Sequence, residues 1–176
     1  MADVSKEDAQ KVFSLARNSL AAYARVMFHG FQRGKHHDAI FKLLHRLEDP
    51  EDDLDRAIIA MPPRHGKSLI CSQLFPSWYL GRNPRHEIIG TSYGQSLADD
   101  FGKKVRDHML NPMYSNIFPE TRRARDSQGV QKFETTLGGA YFAVGRGGPA
   151  TGRGGNLIIL DDPIKNREEA NSSIVR

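Results

Sequence analysis

The 176-residue sequence predicts an α/β fold with a mainly parallel sheet. Two observations carry that prediction. Short unbroken apolar runs read as strands buried on both faces. Between these runs lie segments whose apolar residues recur at helical spacing, the alternation that builds parallel sheets.

From Lys6 to Phe28, Val12, Leu15, Ala16, Leu20, Tyr23, Ala24 and Met27 mark one face of a first amphipathic helix, with Ser5 and Asp8 as a capping pair. Asp38 to Leu47 repeats the pattern through Ile40, Phe41, Leu44 and Leu47 and closes in the acidic loop Glu48 to Asp55. The period then changes: Ala57-Ile58-Ile59-Ala60-Met61 reads as a buried strand running into Pro62-Pro63-Arg64-His65-Gly66-Lys67-Ser68. A helix follows through Leu69, Ile70, Leu74 and Phe75, ended or kinked by Pro76. His86 to Thr91 is a second strand, and Ser96 to Leu110 a helix stopped by Asn111-Pro112. Lys132–Thr136 and Ala140–Val144 flank Leu137-Gly138-Gly139 as a hairpin. Asn156-Leu157-Ile158-Ile159-Leu160 is the third core strand and ends in Asp161-Asp162.

Composition sets the outer limits. With 39% apolar and 26% charged residues, collagen-like, low-complexity and disordered chains are excluded. Arg25 interrupts the best apolar run, so no bilayer span is expected, and the polar start MADVSKEDAQ is no signal peptide. Cys71 is the single cysteine, which excludes an internal disulfide and a cysteine-based zinc site and fits a reducing, cytoplasmic setting. Residues 61–125 hold 10 basic against 5 acidic side chains, so the positive excess lies in the middle of the chain. Lys103, Lys104, Arg106, Arg122, Arg123 and Arg125 are either a phosphate-backbone contact or a solvated face.

Gly66-Lys67-Ser68 at a strand-to-helix junction is the chemistry-bearing end of a P-loop. The glycine lets backbone N–H groups approach phosphate oxygens, the lysine reaches the outer phosphates, and the serine hydroxyl serves Mg²⁺ at the helix N-terminus. Met61 stands where the full pattern has its first glycine. A P-loop needs a second, carboxylate-bearing strand, and Leu157–Leu160 followed by two acids supplies it. Asp161 is assigned to the metal and Asp162 to activating the attacking water, the alternative being an acid pair that caps a strand end. Arg64 is either a charge stabiliser for the γ-phosphate or a surface ion pair.

PPRHGKS after an apolar run, TSYGQSLADDFGKKVRDHM in the middle and GRGGPATGRGGNLIILDDPIKNREEA near the end resemble the ATPase domain of tailed-bacteriophage terminase large subunits, the motors that package DNA into proheads. The resemblance runs from about Lys35 onward. It implies a P-loop NTPase of the additional-strand class, with residues 1–55 as a helical region leading into an ATPase core at 56–176. It implies ATP and Mg²⁺ as ligands, held by Pro63, Arg64, His65, Gly66, Lys67 and Ser68, with Ser68 and Asp161 at the metal and Asp162 and Arg64 in hydrolysis. The implied partners are double-stranded DNA, a small terminase subunit, a portal protein and further copies of the chain. Loss of the first P-loop glycine is tolerated in that family, whereas Asp162 replaces the more usual glutamate. Family members often place an adenine-contacting residue upstream of the P-loop. Here the candidates are Gln32, His36 and His37; His37 is taken for that role, against the alternative of a partly buried histidine at a helix start. Thr151-Gly152-Arg153-Gly154-Gly155 is a loop that could approach ATP or DNA.

In the additional-strand class the strand between the P-loop strand and the carboxylate strand follows the latter in sequence. Pro163 to Arg176 contains no such apolar run, so the expected sheet has a gap between the two halves of the site, and no nuclease domain follows. The expectation is therefore a fragment of a motor. A helicase-type translocase and a catalytically inactive truncated product are the alternatives.

Overall fold

The computed structural model describes residues 5–127, 129–148 and 154–165. Four strands form one sheet in the order β2-β3-β1-β4: β1 is Glu87–Ser92, β2 Lys132–Glu134, β3 Ala140–Gly145 and β4 Leu157–Leu160. β1 pairs in parallel with β3 (Ile89 opposite Phe142) and with β4 (Ile89 opposite Ile158), while β2 runs antiparallel to β3. The fold is thus mixed α/β with a mostly parallel sheet. The Leu137-Gly138-Gly139 turn joins β2 and β3 as the hairpin pattern predicts, and Gly138 takes φ +93°, which glycine adopts without strain.

The first helix divides in two, α1 (Lys6–Asn18) and α2 (Leu20–Met27). Ser19 turns extended and its hydroxyl accepts the Ala22 N–H, capping α2, so a good N-cap residue outcompetes continuation of the helical period. Ser5 caps α1 by accepting the Asp8 N–H at 3.1 Å. The second predicted helix is α3 (Lys35–Glu48), three residues longer at its start. One core cluster combines α1–α3 (Ala16, Leu20, Tyr23, Phe41, Leu44) with the sheet (Ile88, Phe133, Tyr141), so the helical N-terminal region and the sheet share a hydrophobic interior.

After the loop at 62–66, Lys67 begins an uninterrupted helical run: α4 (Lys67–Leu69), a π-helical turn (Ile70–Leu74) and α5 (Phe75–Arg82). Pro76 does not end this run. It occupies the first turn of α5, where the π turn already interrupts the regular ladder and the Phe75 N–H reaches Ile70 C=O. The Ser77 hydroxyl donates to Leu74 C=O at 2.9 Å within this segment. Trp78 anchors the far end, fully buried, with Nε1–H donated to Ala16 C=O at 3.1 Å. The helix after β1 is α6 (Gln95–Leu110), and Asn111 caps a further short helix, α7 (Pro112–Ile117), by accepting the Met113 N–H.

The apolar run at 57–61 is not a strand. It pairs with no described strand, and Ile58 is 98% exposed. β4 is consequently an edge, with Ile158 and Leu160 more than half exposed. A cavity of about 450 Å³, lined by Ala57, Ile58 and Ile59 on one side and Leu157 to Leu160 on the other, separates the two segments. With that space between them, the backbone groups of 57–61 find no ladder partner, which is why an apolar run alone did not make a strand. No helix among the described residues is long and apolar enough to cross a membrane.

Candidate functional site

The helical run from Lys67 and the end of β4 meet. Although 95 positions apart in sequence, Lys67 and Asp162 are joined by a hydrogen bond from Lys67 Nζ to Asp162 Oδ1 at 2.9 Å, and the same nitrogen lies 2.8 Å from Asp161 Oδ1. The strand end is fixed through β1: the Asp161 N–H donates to Thr91 C=O, and the Tyr93 N–H donates to Asp162 C=O. Asp162 sits at φ +47° and Arg64 at φ +63°, left-handed conformations that cost a non-glycine residue roughly 1–2 kcal/mol. Both strained residues lie at this one site.

The two aspartates differ. The Asp161 side chain is 5% exposed and that of Asp162 is 60% exposed. Burial pushes the Asp161 carboxyl up. Hydrogen bonds from Lys67, Ser68 and Ser72, together with the Lys67 charge, outweigh that effect and hold it below the usual carboxylate range. Burial likewise lowers Lys67, and its hydrogen bonds and charge pairing with Asp161 and Asp162 reverse the sign, so the ammonium is held more firmly than in water. Ser72 is a site residue that the motif pattern did not reveal. It is buried and donates Oγ–H to Asp161 Oδ2 at 2.7 Å. Its spacing of four from Ser68, one helical turn, is the signal that could have found it. Cys71, in the same turn, is pushed up to about 12 by burial and then by the Asp161 charge, so it is a thiol and not a nucleophile at neutral pH.

A cavity of about 420 Å³ is lined by Met61 to Leu69 and Asp162. It brings together Pro63, Arg64, His65, Gly66, Lys67, Ser68 and Asp162, all singled out from sequence. Asp161 does not line it but the neighbouring cavity of about 450 Å³, where it pairs with Lys67. Arg64 is exposed at the rim. Gly66 takes φ +83°, and a Cβ there would sit 2.9 Å from His37 Nε2, so both backbone and space demand glycine. The cavity offers donors to an anion: the first N–H groups of the helix starting at Lys67 have no partner four residues back, and Lys67, paired with Asp161 and Asp162, lines it. For a divalent cation the residues present are a hydroxyl (Ser68) and a low-titrating carboxylate (Asp161), hard oxygen donors of the type that Mg²⁺ takes, with the remaining positions left to water and substrate phosphate. No cluster of three or more metal-binding side chains occurs among the described residues.

His37 is not free to stack on a base. It is 7% exposed, its ring lies against Phe31 and His36, and its nitrogens bond Gly34 N–H and His65 C=O. This is the alternative of a buried histidine at a helix start. Of the basic residues, Lys103, Lys104, Arg122 and Arg125 are exposed, whereas Arg123 turns inward to donate to Ala124 C=O and Ser127 C=O. Thr151, Gly152 and Arg153 lie outside the described residues. Comparison with family models, with curated proteins and with solved structures finds no match to this chain.

Proposed function

We propose that this chain is the ATP-binding and ATP-hydrolysing part of a DNA-packaging motor of the terminase large subunit type, built on a P-loop NTPase core. The observation that carries the proposal is the convergence of Lys67 with Asp161 and Asp162, from segments 94 and 95 residues apart, beside a loop-lined cavity that Lys67 and Asp162 line. The terminase assignment within P-loop ATPases comes from the sequence resemblance, as do the proposed partners: double-stranded DNA, a small subunit, a portal and further copies of the chain.

In this proposal the loop at 63–68 takes the triphosphate, its backbone N–H groups facing the phosphate oxygens. Lys67 exchanges its carboxylate partners for the outer phosphates, and Arg64 turns in from the rim to the γ-phosphate. Ser68 and Asp161 hold Mg²⁺, which supplies charge neutralisation at the phosphates. Asp162, exposed and released from Lys67, orients the attacking water and accepts its proton. Asp161 faces the metal rather than the water and keeps its hydrogen bond from Ser72.

The test is steady-state ATP hydrolysis by the wild type, Lys67→Ala and Asp162→Asn. Turnover that both substitutions abolish is expected; wild-type turnover in Lys67→Ala would overturn the proposal.

A further inference from the structure

Both nitrogens of the buried His37 ring are committed. Nδ1 lies 3.0 Å from Gly34 N–H, which can only donate, and Nε2 lies 3.0 Å from His65 C=O, which can only accept. The neutral tautomer therefore carries its proton on Nε2 and donates it into the loop. His36 Nε2 stands 3.0 Å from the same nitrogen. The loop is curled on itself as well, since His65 Nδ1 lies 2.8 Å from Pro63 C=O. The imidazole thus sits directly behind the left-handed turn at Gly66, in the space a Cβ would need.

We propose that His37 is a positioning residue for the phosphate-binding loop: by donating to His65 C=O it fixes the carbonyl that precedes Gly66 and hence the turn presenting the Gly66 to Ser68 backbone to phosphate, an inference that rests on the nucleotide reading above. The ring is anchored from the other side by the N-terminal end of α3, where its Nδ1 accepts the Gly34 N–H. The placement of α3 and the shape of the loop are therefore tied through one side chain. His37 touches no phosphate itself; it acts through the backbone of its neighbour.

Two substitutions separate this role from simple helix capping. The Gln side chain of His37→Gln can carry an amide N–H to the position of Nε2 and keep the loop bond while giving up the cap. The Asn side chain of His37→Asn can place an oxygen near Nδ1 and keep the cap while falling short of His65. For the full 176-residue chain, amide hydrogen exchange across residues 62–70 is measured without nucleotide, and Mg-ATP affinity by calorimetric titration. His37→Asn is expected to speed exchange in the loop and weaken Mg-ATP binding about five- to tenfold, the effect of one lost neutral hydrogen bond. His37→Gln is expected to stay within about twofold of wild type. Loop exchange in His37→Asn equal to wild type, or His37→Gln behaving worse than His37→Asn, overturns the proposal. If the wild type takes up no nucleotide while His37→Asn still loosens the loop, the nucleotide reading falls and the positioning role stands. If the wild type binds Mg-ATP and all three proteins share one loop exchange rate, the positioning role falls alone.

Discussion

Ser72→Ala removes one oxygen from a buried position and little else, which makes it a clean probe of how Asp161 is held. The Ser72 hydroxyl donates to Asp161 Oδ2 at 2.7 Å inside the protein. A hydrogen bond to a charged group contributes about 1.5–3 kcal/mol. At pH 7 the variant is expected to lose that amount in urea unfolding, or roughly 3–12 °C of melting temperature for a chain of this size. The loss should depend on pH in a defined direction. Asp161 titrates below its ordinary value in the folded chain, so its contribution is complete above the unfolded value of ~3.9 and disappears as pH falls through the folded value. Removing Ser72 raises the folded value, so the gap between wild type and variant is widest at neutral pH and narrows as pH falls through the folded values. Comparing the two proteins at each pH cancels every other titrating group. A gap under about 0.5 kcal/mol at pH 7, or a gap that widens as pH falls, would refute this account of Asp161.

Gly66→Ala is expected to destabilise the chain by about 1–2 kcal/mol through its positive φ alone, with a further loss from the contact with His37. The combination with His37→Ala should cost less than the sum of the single changes, read by urea unfolding. Trp78→Ala should cost about 3–5 kcal/mol, a large share of a typical domain's stability, because the ring is fully buried and its N–H closes α1 onto α5. Trp78→Phe should retain most of that loss-free packing and lose mainly the hydrogen bond to Ala16. Arg64→Ala should leave the melting temperature nearly unchanged, since the side chain is exposed, and lower ATP turnover at least tenfold.

Parts of this structure were legible because local chemistry and tertiary packing agree. The Glu87–Ser92 and Leu157–Leu160 runs became parallel neighbours, and the Leu137-Gly138-Gly139 turn made the hairpin that its residue types demand. Ser5 capped α1 as its spacing with Asp8 indicated. Where the sequence misled, a longer-range condition decided. Ala57–Met61 has the composition of a buried strand, but a strand exists only with a partner, and none of the described strands lies beside it. Ser19 inside an unbroken helical period and Pro76 at a π turn show local backbone bonding overriding periodicity. At the site, the loop residues and the acid pair were readable as motifs because their spacing is fixed by chemistry. Ser72 was not, and His37 was picked out for a different role, since each acts through a contact that only the folded chain creates.

The most direct measurement is calorimetric titration of the 176-residue chain with Mg-ATP, run in parallel on Lys67→Ala with circular dichroism confirming that the variant is folded. One saturable site in the wild type, weakened at least tenfold in Lys67→Ala, is the predicted result. A folded wild type that takes up no nucleotide, or a Lys67→Ala protein that binds as tightly as wild type, would contradict it.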